Sequence, residues 1–366
     1  AGYRVVAISP APDECAQFVR EDFAGDAGAI ERFHAVLFRD PPTVILPSRL
    51  DHDPLSTRRR WDELIQSLAE GEAGSGWKID CLFFAWLDSF LRFGSRGSGP
   101  GRLKIPWSGL YFQNRHLLET EGLLERGIRL LKGDGLLNHE GCHSVGLLDD
   151  RPAKRFENLY GVEPVLFPDI TNSSLPEQPT DRAEAIRDEA GDRFVLGMIS
   201  MEPRKGVMEM LRVVDAARDQ PYYWVFTGPY EEDWFTGEDR ELIHRLKGEA
   251  DRGEINHLHL DLSGERIPDG DEYNSVFNAY DAVLAVYPGW EASSNALTTA
   301  ALFEKRVLAW NGGCVGQRVR DDRLGLTVDP DDVGEILEAV GCLVEGVDRE
   351  GNPLDPEFAT YREQHS

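Results

Sequence analysis

The sequence predicts an α/β protein built from two doubly wound domains, and three observations carry that expectation. Short β-branched and aromatic runs alternate with longer amphipathic stretches, the pattern of parallel strands connected by helices. A length of 366 residues is enough for two domains, each with its own core. The charge also steps near residue 175: residues 1–175 carry 25 acidic and 20 basic side chains, and residues 176–366 carry 40 and 19. The expected division is 1–172 for the first domain and 173–345 for the second. Residues 346–366 are expected to form a terminal segment crossing back toward the first domain.

In the first half, residues 4–9, 43–46, 79–85, 105–112 and 135–138 read as strands. Stretches 13–21, 27–38, 57–70 and 117–131 read as helices between them. Residues 95–102 (SRGSGPGR) have loop composition, and 164–179, rich in Pro, Ser, Asn and Thr, reads as an interdomain linker. The second half is more regular. Residues 194–199, 222–227, 256–261, 282–286 and 306–310 read as strands. Helical stretches at 206–218, 239–252, 271–279, 294–304 and 331–344 separate or follow them. Such a unit binds ligands at the carboxyl ends of its strands.

Composition narrows the function. With 41% hydrophobic and 28% charged residues the chain is globular. Its longest apolar run, 81–87, is too short to span a bilayer, and no basic-then-apolar leader opens it. A net charge of −26 is the wrong sign for neutralising phosphates along DNA or RNA, so no nucleic-acid partner is expected. Acid excess with 32 Arg and 7 Lys also fits a protein kept soluble in high salt. Five scattered cysteines without a C-x-x-C pair argue against a disulfide framework or zinc site and for a reducing, cytoplasmic setting.

Two segments carry chemistry. The run MEPRKG (201–206) lies between a buried strand and an amphipathic helix. There, backbone N–H groups at a helix start can hold an anion, Arg204 and Lys205 can neutralise a diphosphate, and Gly206 permits close backbone approach. The run YDAVLAVYPGWEASSN (280–295) takes a strand into a loop that presents Glu291, then into a helix beginning near Ser293, Ser294 and Asn295. That arrangement offers phosphate donors beside a carboxylate able to bind sugar hydroxyls. Taken singly, each has a plainer reading: a charged helix start, a loop acid and an N-capping serine.

In this order and spacing, the stretch from 194 to 344 resembles the C-terminal domain of GT-B glycosyltransferases of the retaining "group 1" type. The residues that carry the resemblance are RKG (204–206), AYDAVLAVYPGWE (279–291), TAALFEKRVLA (299–309), NGG (311–313) and LGLTVDP (324–330). KRFENLYGVEPVLFP (154–168) resembles the family's approach to its linker. The resemblance implies two Rossmann-like domains facing a central cleft, with a nucleotide-diphospho-sugar donor as substrate rather than a cofactor. It further implies retention of configuration and no required metal. Lys205, Glu291 and His116 become the candidate catalytic residues. Arg204, Gly206, Ser293, Ser294, Asn295 and Thr299 become the donor-binding candidates.

Three departures accompany it. Thr299 stands where the family has a second ribose-clamping acid, so Thr299→Glu is expected to tighten nucleotide binding. No arginine follows Gly197 at the first strand of the domain. After IPWSGLYF (105–112), the family's histidine is replaced by Phe112 and Gln113, with Arg115 and His116 just beyond. The donor diphosphate would be stabilised as it leaves by Lys205, Arg204 and the amides near 293–295, with Glu291 orienting sugar hydroxyls.

The acceptor stays open among carbohydrate, lipid-linked and small-molecule classes. Arg58, Arg59, Arg60, Arg92, Arg96 and Arg102 offer local basicity for a phosphorylated acceptor or a peripheral membrane contact. The aromatic run Phe83, Phe84, Trp86, Phe90, Phe93 reads mainly as core. Two other readings remain: an epimerase using Asp80, Asp88 or Glu119, and a non-catalytic shell that binds a nucleotide, glycan or protein. His139 and His143, four apart, would share a helix face, but they lack a third metal ligand.

Overall fold

The computed structural model describes residues 3–39, 54–92, 95, 99–112, 117, 118, 122–124, 127, 134–169, 171–218 and 220–365. The chain divides into two compact units, Ala1–Phe167 and Pro168–Ser366. The division falls ahead of residue 172 because Asp169 and Thr171 bond to residues of the second unit, Ser293 and Asn295.

In the first unit, β1 (Val5–Ser9) and β2 (Phe33–Leu37) form a parallel pair. A second parallel sheet runs in the order β3 (Leu82–Phe84), β4 (Trp107–Leu110), β5 (Cys142–Leu147), β6 (Pro164–Leu166). Helices Pro12–Asp22, Ala27–Glu31, Pro54–Ser75 and Ala153–Tyr160 accompany them. The core is aromatic: Trp61, Phe84, Phe90, Trp107, Phe156 and Tyr160 are buried together. Buried Asp134 accepts bonds from the hydroxyls of Tyr111 (3.3 Å) and Tyr160 (3.1 Å). Of the aromatic run, Phe84 and Phe90 are core, whereas Phe83 and Trp86 are exposed; Phe93 lies outside the described residues.

The first half departs from its sequence pattern in several elements. The expected helix 27–38 breaks at Arg32 into a short helix and β2, because Phe33–Leu37 (FHAVL) is β-prone and pairs with β1. The expected strand 135–138 is a 3-10 helix, Asp134–Asn138, and the strand is the following Cys142–Leu147. The linker segment 164–179 begins with β6. The expected strand 43–46 and most of the expected helix 117–131 lie outside the described residues.

The second unit has one parallel sheet in the order β12 (Gly325–Val328), β11 (Arg306–Trp310), β10 (Ala282–Ala285), β7 (Phe194–Ile199), β8 (Tyr222–Thr227), β9 (Leu258–Leu260). Successive side chains on each strand feed opposite faces. Leu196, Met198, Trp224 and Phe226 enter one core, and Val195, Tyr223 and Val225 enter the other. Helices Val207–Ala216, Gly237–Asp251 and Val333–Glu345 contribute to the first core, and Asp181–Ala190, Asp271–Asn278, Asn295–Leu302 and Gly313–Asp321 to the second. This is a doubly wound α/β unit. Three of these elements were absent from the expectation: helices Asp181–Ala190 and Gly313–Asp321, and strand β12.

The last helix, Phe358–His365, packs within this second unit. Tyr361 is fully buried in its core, and Arg362 donates to the Ala301 carbonyl at 3.0 Å. These contacts tie the terminal helix to the second unit. Among the described residues, no helix is long and apolar enough to cross a membrane.

Candidate functional site

Strand order locates the site. From β7 the chain moves outward through β8 to β9, then returns to place β10 on the other side of β7. The loops leaving β7 and β10 therefore diverge over the same point, the crevice where doubly wound sheets bind ligands. These loops hold the two chemistry-bearing runs.

They meet closely. Gly206 adopts φ +74°, and a Cβ there would lie 1.8 Å from the Val286 carbonyl oxygen. Only glycine lets the two backbones approach so far. The Lys205 ammonium lies 4.4 Å from the Tyr287 ring centroid, and the Arg204 guanidinium lies 5.1 Å from the Trp290 ring centroid. Both cations thus stack on aromatic rings of the β10 loop, and Glu291 directly follows the second of these rings in the chain. The Arg204 Nε also donates to Glu202 Oε2 at 2.6 Å.

A third loop, after β11, supports the β10 loop from below. The Cys314 N–H donates to the Glu291 carbonyl at 3.1 Å, and Gly313, at φ +66°, leaves room for the Trp290 carbonyl. This contact gives the NGG run its physical reason. At the end of β7, buried Ser200 holds φ 126°, a strained value for a residue with a side chain. Its N–H donates to the Thr227 carbonyl and its hydroxyl to Glu202 at 3.2 Å. The result is a ledge at the sheet's carboxyl edge carrying two cations, Arg204 and Lys205, and two carboxylates, Glu202 and Glu291.

The donor-binding candidates do not all face this ledge. Ser293 Oγ donates to Asp169 and accepts from Arg318 Nη1 at 3.3 Å, so its hydroxyl is committed to a buried network. Ser294 is the N-cap of helix Asn295–Leu302 and is buried, without a side-chain capping bond. Asn295 is exposed and accepts from Thr171. Thr299 is fully buried, and its hydroxyl donates to the Asn295 carbonyl at 3.0 Å. A threonine turned into the core cannot reach a ribose. We therefore expect Thr299→Glu to bury a carboxylate and destabilise the second unit by about 3 kcal/mol or more. Thermal unfolding checks this, and a stable variant with tighter nucleotide binding would contradict it.

His116, Gln113, Arg115, Glu119 and Arg96 lie outside the described residues. Several other first-half candidates have partners. Arg60 stacks on Phe38 and Phe90, Arg58 and Arg102 share Asp62, and Asp88 accepts the Phe112 N–H at 2.8 Å. His139 and His143 share no helix: the first accepts the Gly141 N–H at 2.9 Å and the second lies on β5. Among the described residues, no three His, Cys, Asp or Glu side chains gather as a metal site. Sequence reasoning passed over Ser200, Glu202, Trp290, Asp169 and Arg318. Trp290, adjoining Glu291, was the one with a legible signal.

No protein-family model matches the chain, and no curated protein is similar to it in sequence. Solved structures are similar in fold over nearly the whole length. Sucrose-phosphate synthase from Thermosynechococcus elongatus superposes with a TM-score of 0.60 at 17% identity, covering 99% of this chain and 94% of that one. Anabaena HepE, solved with UDP and glucose, gives 0.61 at 13% identity, with coverages of 100% and 96%. A glycosyltransferase from Rickettsia africae gives 0.59 at 12%, with coverages of 99% and 93%. The chain has the GT-B fold of two Rossmann-like domains, and glycosyltransferases are among its structural neighbours.

Proposed function

We propose that this protein is a glycosyltransferase that takes its sugar from a nucleotide-diphospho-sugar. The observation that supports this most is the meeting of the β7 and β10 loops, which stacks Lys205 on Tyr287 and Arg204 on Trp290, the residue before Glu291 in the chain. Two fixed cations suit a diphosphate, and a neighbouring carboxylate suits sugar hydroxyls. Similar structures solved with UDP, UDP and glucose, or UDP-glucose support the same donor class.

In the reaction, the bond from sugar C1 to the diphosphate oxygen breaks, and its electron pair stays on the phosphate. Lys205 and Arg204 offset that charge, together with backbone N–H groups at the start of helix Asn295–Leu302. Glu291 orients the sugar. The acceptor hydroxyl oxygen forms the new bond to C1, and its proton leaves with the diphosphate. We read the transfer as retaining, on the strength of the motif resemblance. The side chains supply the positive charge the leaving group needs, so the reading calls for no metal or cofactor.

One observation favours a second reading, a nucleotide-binding shell without transfer. Buried Thr299 removes the ribose-clamping acid, and Glu202 already pairs with Arg204. One experiment separates the two. Thermal unfolding is measured with UDP, GDP, ADP and their sugar conjugates, followed by assay of nucleoside diphosphate release with candidate acceptors. A true donor at a hundredfold excess over its Kd should stabilise the fold by about 2.7 kcal/mol. A shift with acceptor-dependent release supports the transferase, a shift without release supports the shell, and no shift with any nucleotide overturns both.

A further inference from the structure

We infer that Asp169 is a positioning residue for the donor site, acting through Ser293 to hold the loop that carries Glu291 and the start of the following helix. The inference rests on the proposed donor site. Asp169 lies just past the point where the chain enters the second unit. Its Oδ2 accepts from Ser293 Oγ and, at 3.4 Å, from Thr298 Oγ1, and it lies 3.9 Å from Arg318 Nη1. Arg318 Nη1 donates to Ser293 Oγ at 3.3 Å, and Thr298 meets the Tyr361 hydroxyl at 3.3 Å. Thr171 Oγ1 bonds Asn295. One short entry segment thus grips the loop–helix junction at 293, 295 and 298.

Stability alone does not account for this arrangement. Burial pushes the Asp169 carboxyl up, against the opposing pull of Ser293, Arg318 and Thr298. A carboxyl whose pKa is raised on folding binds its proton more tightly in the native state. Its contribution to stability therefore grows as pH falls and is unfavourable at neutral pH. A buried ion pair also adds little net stability over an apolar replacement. What the charged network does provide is direction: two charges and three hydroxyls fix the junction in one geometry. Ser293 is two residues from Glu291, and Trp290 Nε1 donates to the Ser293 carbonyl at 3.2 Å. Displacing Ser293 therefore moves both Glu291 and the ring on which Arg204 stacks.

The test measures UDP affinity by calorimetry for wild type, Asp169→Asn, Ser293→Ala and the double variant, at a temperature where circular dichroism shows each folded. Ser293→Ala keeps the test usable if Asp169→Asn does not fold, because it leaves the Asp169–Arg318 pair in place. Each single variant should bind UDP at least tenfold more weakly. The double variant should be no weaker than the weaker single one, since both remove the same restraint. If wild type binds UDP and either single variant binds within twofold of it, the positioning role is overturned. Additive losses overturn the route through Ser293. If UDP and the other nucleoside diphosphates all fail to bind wild type, it is the donor-site reading that falls.

Discussion

Gly206→Ala is expected to disrupt both the second unit's stability and its ligand site. A Cβ at this position would lie 1.8 Å from the Val286 oxygen, 3.0 Å from its carbonyl carbon and 3.1 Å from Pro288 Cδ. None of these is the end of a flexible side chain, so the β7 and β10 loops must separate. The left-handed φ of +74° adds about 1 kcal/mol of its own. Together we expect a loss of roughly 3 kcal/mol or more. In a unit of this size that lowers Tm by about 6–12 °C. Gly289→Ala is the control, with φ +69° but open space around its Cβ; it should cost about 1 kcal/mol. Equal melting temperatures for the two variants would show that the loops can part freely.

Lys205→Ala should leave folding nearly intact while removing most nucleotide affinity. Lys205 is half-buried at the end of the 3-10 turn Pro203–Lys205, and its stacking on Tyr287 is worth about 0.5–1 kcal/mol. A charge-assisted contact to a phosphate is worth about 1.5–3 kcal/mol. Calorimetry with the nucleotide that shifts wild-type Tm should therefore show binding about 10- to 100-fold weaker. Arg204→Ala should lose less, because Glu202 already holds that guanidinium at 2.6 Å. Unchanged affinity in both variants would move the phosphate site elsewhere.

Much of this site was legible in the sequence where chemistry and periodicity coincide. The runs that became β7, β8 and β11 are continuous, strongly apolar stretches, and the structure places these strands at the expected residues. The charged turn RKG and the PGWE loop follow such strands directly, which is why their location at the carboxyl edge could be anticipated. In the first unit the local signal was weaker. Phe33–Leu37 is apolar enough to continue a helix, and its pairing with Val5–Ser9 tips these β-prone residues into a strand.

What the sequence determined by itself was the α/β class, the doubly wound second domain, and the residue types at two loops. The tertiary structure decided which of those residues face a ligand. Thr299 and Ser293 read as polar, and so as available; the fold turns one into the core and commits the other to Asp169, more than a hundred residues earlier. Helix and strand signals arise from neighbours a few positions apart. The partner that uses up a hydroxyl comes from any part of the chain that the sheet order brings near, and no local pattern records it.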